Sequence, residues 1–301
     1  MDNYVRPSAK PKTEKTYEEI IRNHLQPDIG GWDMDTITPL EVQKYVTRLL
    51  RSGNLTTGGG LSPNTVNLLV TVMQSALRSA CEMGITENTV WERIKRPKAA
   101  EREIQCFTQE EQRKIELGVA ESSKPKLFGI VICLYTGLRL GELLALEWND
   151  VDLTGGEIHV TKTCHDRAVG GAAVRVTNSP KTPSSKRIIP IPKRIIPALK
   201  RLKRLSRSKF VISENGEHII VRSYQRSFEL FLKKIGVEVR GFHTLRHTFA
   251  TRALECGVDV KTLAEIMGHK SADVTLNRYV HALPGHKRDM MNRLNRLFCE
   301  Q

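Results

Sequence analysis

The sequence lacks a membrane-spanning stretch: nowhere in its 301 residues does an apolar run approach the roughly 18 needed to cross a bilayer. Its start, MDNYVRPSAK, carries no apolar core of the secretory kind. The six cysteines (Cys81, Cys106, Cys133, Cys164, Cys256 and Cys299) include no C-x-x-C pair and no short framework. That excludes a disulfide scaffold and argues against structural zinc, so reduced thiols in a cytoplasmic protein are expected. Internal repeats and low-complexity tracts are also missing. One sign of charge is absent from a long segment, since Lys181 to Lys209 holds 11 Lys or Arg and no acid.

What is present is a cationic surplus. Against 33 Asp or Glu stand 47 Lys or Arg, a formal charge of +14. A surplus of that size favours a polyanionic partner, because neutralised phosphates release condensed counterions. The plain reading of the 181–209 run is a solvated helix face; its unbroken sign favours a surface that meets phosphate. Membrane surface is the second partner class that such charge admits, and without a spanning segment no membrane association is expected. The length suits two domains, each able to bury a core.

The first domain is expected over residues 1–95, after a polar lead-in with Pro7 and Pro11. Tyr17, Ile20, Ile21 and Leu25 form one helical stripe. Thr38-Pro39-Leu40-Glu41 reads as an N-cap, a proline at the first helical position and a capping-box glutamate. Ser62-Pro63 opens a long helix with Val66, Leu69, Val70, Met73, Leu77 and Cys81 on its apolar face, and Gly84 is its stop. A short helix near Val90 and Trp91 completes an all-helical unit. Residues 96–106, highly charged and poor in apolar side chains, read as a linker.

The second domain is expected over 107–301, beginning with another capping box at Thr108 to Glu111. The apolar run from Phe128 to Trp148 is interrupted by Gly137, Arg139 and Glu142, so it reads as two buried helices. The segments EIHVTKT, AAVRVTN and KRIIPIP read as three strands of one small antiparallel sheet, with a turn around Pro180 to Ser184. The rest is mostly helical. The fold class expected is therefore mainly α, a small helical domain followed by a larger helical domain with a small three-stranded antiparallel sheet.

Several residues could carry chemistry. Arg139 sits in an apolar run, where a guanidinium must be paired or face an anion. Glu142, three residues on, is either a purely structural partner or the group that orients Arg139 toward a phosphate. Lys181 lies at a hairpin tip, where most lysines are merely solvated but one can reach a groove and donate a proton. His243 and Arg246, spaced i, i+3, share a helix face. His243 and His247 have the i, i+4 spacing of zinc ligands, yet the motif lacks the Glu of H-E-x-x-H and Arg246 would repel a cation, so a metal site is rejected. His269 follows a glycine, and Tyr279 comes ten positions later. A lone helical histidine is most often a satisfied core residue, and a tyrosine is a poor nucleophile at its free pKa of about 10.

In order, these pieces are T-G-L-R-x-G-E-L, a lysine in a hairpin, H-T-L-R-H, L-x-x-x-x-G-H, and R-Y. That order resembles the tyrosine recombinases, or phage integrase family, from about Phe107 to His281. The helical first domain, with YEEIIRNHLQP and ITPLEVQ, looks like the family's core-binding domain. In style the chain is similar to integrases of conjugative transposons and temperate phages. Many of those carry a further N-terminal domain that reads arm-type sites. Here the core-binding helices start almost at once, as in the simpler two-domain type or in a piece of a longer protein.

The resemblance implies two catalytic arginines at Arg139 and Arg246, a general-acid lysine at Lys181 (Lys162 and Lys186 being less favoured), histidines at His243 and His269, and the nucleophile at Tyr279. It implies double-stranded DNA as partner, clamped between the two domains, with no metal or nucleotide cofactor. It also implies a homotetramer on paired sites, with an excisionase or DNA-bending protein as a further partner. The stripe Met290, Met291, Leu294, Leu297 and Phe298 near the C-terminus would dock on its own domain or, as the family suggests, on a neighbouring protomer. Two other readings stand beside this one: a type IB topoisomerase, which uses a similar residue set, and a non-catalytic DNA-binding regulator on the same scaffold.

Overall fold

Two threonines anchor the helical frame. Thr38 accepts a hydrogen bond from the Glu41 amide while the Glu41 carboxylate accepts from the Thr38 amide at 2.8 Å. Thr108 and Glu111 repeat the arrangement, again at 2.8 Å. Each box satisfies amides that a helix start otherwise leaves unpartnered. The computed structural model describes residues 11–99, 104–170, 172–178 and 186–279. The chain divides into two compact units, Met1–Arg102 and Glu103–Gln301.

In the first unit, helix α1 (Pro11–Ile20) continues through a π-helical stretch (Ile21–Leu25) into α2 (Gln26–Ile29). Helices α3 (Pro39–Ser52) and α4 (Pro63–Glu82) follow, each with a proline in its first turn, and Ser62 caps α4 through the Thr65 amide. Gly84, at φ +69°, takes the left-handed turn just past α4 that favours glycine. Val42, Tyr45, Val46 and Leu49 of α3 meet Val66, Leu69, Val70 and Met73 of α4 in a buried cluster. The expected apolar stripes are thus the core of this unit.

The second unit contains α5 (Gln109–Ala120), α6 (Phe128–Thr136) and α7 (Leu140–Ala145). The apolar run is a helix pair, as its interruptions predict. Strands β1 (Val151–Asp152), β2 (Glu157–Val160), β3 (Thr163–Val169), β4 (Ala172–Asn178) and β5 (Arg187–Pro190) come next. Helices α8 (Ile196–Leu205), α9 (Val221–Lys234), α10 (His243–Glu255), α11 (Val260–Met267) and α12 (Ala272–Tyr279) complete it. Ile130, Ile132, Leu143, Leu144, Ile158, Ile189, Tyr224, Phe228 and Leu245 share one buried core.

The small three-stranded antiparallel sheet is present, in the order β1-β2-β5, but one strand differs from expectation. AAVRVTN pairs instead with the strand before it, as the separate hairpin β3-β4. The register sets Val169 opposite Ala172, with Gly170 at φ +57° in the turn between them. That positive φ is one that glycine adopts without strain. Strands β4 and β5 lie in different sheets. Lys181, expected at a hairpin tip, lies outside the described residues, as does the apolar stripe from Met290 to Phe298.

Candidate active site

Helix α11 ends on Gly268 at φ +62°, a left-handed cap that returns the chain sharply toward His269. That turn exposes two consecutive carbonyls, and each receives one of the two expected arginines. Arg246 donates through Nη2 to the Met267 oxygen at 2.5 Å, and Arg139 donates through Nη2 to the Gly268 oxygen at 3.1 Å. The other Arg246 nitrogen, Nη1, reaches the Gly137 oxygen at 2.6 Å. Gly137 is itself the left-handed cap of α6, at φ +65°, two residues before Arg139. The T-G-L-R and M-G-H segments therefore meet through Arg246.

Arg246 is 2% exposed, and burial lowers its pKa to about 9, with the charge of Arg139 adding to the effect. A cation held there at this cost is poised to gain from an incoming anion. Arg139, with 36% of its side chain exposed, is the more open of the two. Its Nη1 donates to Glu142 Oε1 at 2.8 Å, and its backbone amide donates to Glu142 Oε2 at 2.9 Å.

Glu142 has a second cationic partner that the motif reading did not single out. Arg187, the first residue of β5, donates Nη1 and Nη2 to its two carboxylate oxygens at 3.1 and 2.9 Å. Arg187 Nε donates to the Ile266 oxygen at 2.6 Å, which ties the sheet to α11. Burial pushes the Glu142 carboxyl up, but the hydrogen bonds and charge of Arg187, helped by Arg139, hold it at about 2. The signal for Arg187 was strand alternation: it lies two positions from buried Ile189, on the inward face of β5. Read as part of a basic run, it looked like surface. The run's other described members from Lys193 to Lys209 are exposed.

His243 opens α10 and is exposed; its ring meets that of His247 edge-on at 4.6 Å between centroids. His269 Nδ1 contacts Thr275 Oγ1 at 2.7 Å. Tyr279 is 1% exposed, packed among Ala250, Leu254, Leu263 and Met267, and its hydroxyl lies 2.6 Å from His247 Nδ1. Sequence reasoning weighed His247 only as a zinc ligand. The i, i+4 spacing that prompted that thought is also what places it beside His243. Lys162 is held by Glu147 at 3.0 Å and Asp150 at 3.1 Å, which leaves it ill-placed as a general acid. Lys186 is exposed.

Residues 105–286 match the phage integrase family, and residues 1–50 match the phage integrase N-terminal SAM-like domain. The chain belongs to the phage integrase family. It is a tyrosine site-specific recombinase. A tyrosine recombinase XerC-like protein of Caldanaerobacter subterraneus is 30% identical over 98% of this chain and 80% of its own length. The ICEBs1 integrase of Bacillus subtilis is 27% identical over 96% of this chain and 79% of its own. Among solved structures, the Tn1549 transposon integrase in complex with transposon right end DNA superposes with a TM-score of 0.80, at 25% identity, covering 96% of both chains. A lambda integrase dimer bound to a COC' core site shares the fold, with a TM-score of 0.67 at 19% identity over 90% of this chain and 89% of its own. Nothing in these likenesses favours a topoisomerase or a non-catalytic regulator.

Proposed function

We propose that the chain integrates or excises a mobile element, and that Arg139, Lys181, His243, Arg246, His269 and Tyr279 carry the chemistry. The observation that supports this site is the fixing of Arg139 and Arg246 on neighbouring carbonyls of one helix cap, next to His269. Two guanidiniums held from behind in this way can face the non-bridging oxygens of one phosphate, which is where charge gathers during phosphoryl transfer. His243 and His269 supply further donors. Tyr279 Oη attacks the phosphorus, the bond to the 5′-oxygen breaks, and Lys181 protonates that leaving oxygen. The products are a 3′-phosphotyrosyl link and a free 5′-hydroxyl. The covalent link conserves the phosphodiester energy, so the hydroxyl of a partner duplex reverses the step without ATP.

The mobile-element role draws on relatives named as the ICEBs1 integrase and the Tn1549 transposon integrase. Paired sites call for a tetramer, and a lambda integrase tetramer has been solved on a Holliday junction. The exposed cations of α8, from Lys200 to Arg204, would lie along phosphates. We place the protein in the cytoplasm, where DNA and reduced thiols coexist.

The test is a nicked suicide duplex drawn from DNA flanking the gene and chosen because the protein binds it. The expected result is a denaturation-resistant protein–DNA adduct with wild type and none with Tyr279→Phe, which still binds. An adduct retained by Tyr279→Phe would remove Tyr279 from this role.

A further inference from the structure

Resting on that reading of Tyr279 as nucleophile, we propose that His247 is a catalytic residue, the base that takes the Tyr279 proton. At neutral pH a phenol with a pKa near 10 is ionised about once in a thousand molecules. Tyr279 is 1% exposed, so bulk water is not at hand to take that proton. Attack therefore needs a proton acceptor already in contact with the hydroxyl. His247 Nδ1 lies 2.6 Å from Tyr279 Oη, within the reach that general-base catalysis requires. A neutral imidazole carries a lone pair on one ring nitrogen. The neutral ring with its proton on Nε2 presents that lone pair on Nδ1.

Position supports the same role. His247 belongs to α10, whose Leu245, Ala250 and Leu254 are buried, so the imidazole stands on a fixed element. Arg246, its neighbour in the chain, is the arginine that spans Gly137 and Met267. One helical turn thus carries both an anion-holding guanidinium and the group touching the nucleophile. His269 Nδ1 is turned instead to Thr275 Oγ1, which suits a donor on a phosphate oxygen more than a partner of the tyrosine.

The step balances as follows. The Oη–H bond of Tyr279 breaks and its proton joins Nδ1 of His247; the oxygen's electron pair forms the bond to phosphorus. The bond to the 5′-oxygen breaks with its electron pair, and that oxygen takes a proton from Lys181. In religation the proton on Nδ1 returns to the departing Tyr279 oxygen.

The experiment measures single-turnover cleavage of the suicide duplex by wild type, His247→Phe and His247→Asn. Each is prepared with ordinary tyrosine and with a ring-fluorinated, more acidic tyrosine at position 279. The expected loss is roughly 100-fold for both variants with duplex binding kept, the usual scale of general-base catalysis. With the more acidic phenol the loss should shrink several-fold, because less help is needed to remove the proton. Should His247→Phe fail to fold, His247→Asn carries the test, as its amide can hold the hydroxyl but cannot take a proton. Cleavage equal to or faster than wild type would make the contact a resting latch and overturn the proposal. A loss that the fluorinated tyrosine leaves unchanged would make His247 structural only, which also overturns it. If wild type itself forms no Tyr279-dependent adduct, the reading of Tyr279 fails, and this proposal with it.

Discussion

Arg187 and Glu142 lie 45 residues apart in sequence yet meet through two parallel hydrogen bonds, at 3.1 and 2.9 Å. Arg187 keeps 6% of its side chain exposed and Glu142 keeps 4%. The same carboxylate also holds Arg139, whose side chain is 36% exposed. One buried acid therefore joins a sealed cation, which fastens β5 to α11, to an open cation that can meet a ligand. Glu142 pairs with both the side chain and the backbone amide of Arg139, the contact on which the structural and the functional readings of Glu142 both rest.

Acid should loosen this joint over a defined range. The Glu142 carboxyl has an ordinary value of 4.5 and is held at about 2 in the fold. A depressed carboxyl contributes stability that is complete above the unfolded value and is lost as pH falls through the folded one. Between about pH 4.5 and 2 the wild type should lose up to about 1.4 kcal/mol per pH unit through this group. Urea midpoints against pH should show this limb, and Glu142→Gln should flatten it while lowering stability at pH 7. An acid limb of unchanged slope in Glu142→Gln would assign the loss to other carboxylates.

Arg246→Lys should impair cleavage far more than binding. The guanidinium spans Gly137 and Met267 with two nitrogens, and a lysine ammonium cannot match that fork. A fall of about 100-fold or more in adduct formation is expected, the scale for losing one oxyanion donor. Gel-shift affinity should change little, since many other phosphate contacts support binding. Equal losses in both assays would place Arg246 in DNA grip alone.

Gly268→Ala should cost stability and activity together. Its φ is +62°, and a Cβ there would stand 3.0 Å from Arg187 Cδ. A left-handed backbone costs a non-glycine residue about 1 kcal/mol before any crowding. Thermal melting should fall by a few degrees, and adduct formation should fall because Arg139 hangs on the Gly268 oxygen. Unchanged melting would show that the cap tolerates a side chain.

The C-terminal tail yields a prediction about assembly. Removal of the residues from Gly285 onward should abolish tetramers on paired sites while single-site binding persists, if Met290 to Phe298 dock on a neighbouring protomer. Sedimentation on one-site and two-site duplexes separates the outcomes. Unchanged tetramers would return that stripe to its own domain.

Much of the frame was legible because local rules act over a few residues. The caps at Thr38, Ser62 and Thr108, the prolines in first helical turns and the apolar stripes of α3 and α4 all follow from spacing along one helix. The H-T-L-R-H segment was legible as a helix and M-G-H as a turn for the same reason, and residue types in order pointed to a tyrosine recombinase. Partnership across the chain was not legible. Alternation in AAVRVTN marks a strand but names no neighbour, and the Gly170 turn decided its pairing with β3. Likewise, a basic run gives the sign of a surface and not which member turns inward, so Arg187 was settled by the packing of β5 against α11. The meeting of Arg246 with Gly137, and of His247 with Tyr279, spans 109 and 32 residues. The sequence by itself determined which chemical groups are present and which helices carry them. Tertiary structure alone decided which of them touch, because contacts between distant segments depend on how whole faces bury together and leave no local pattern.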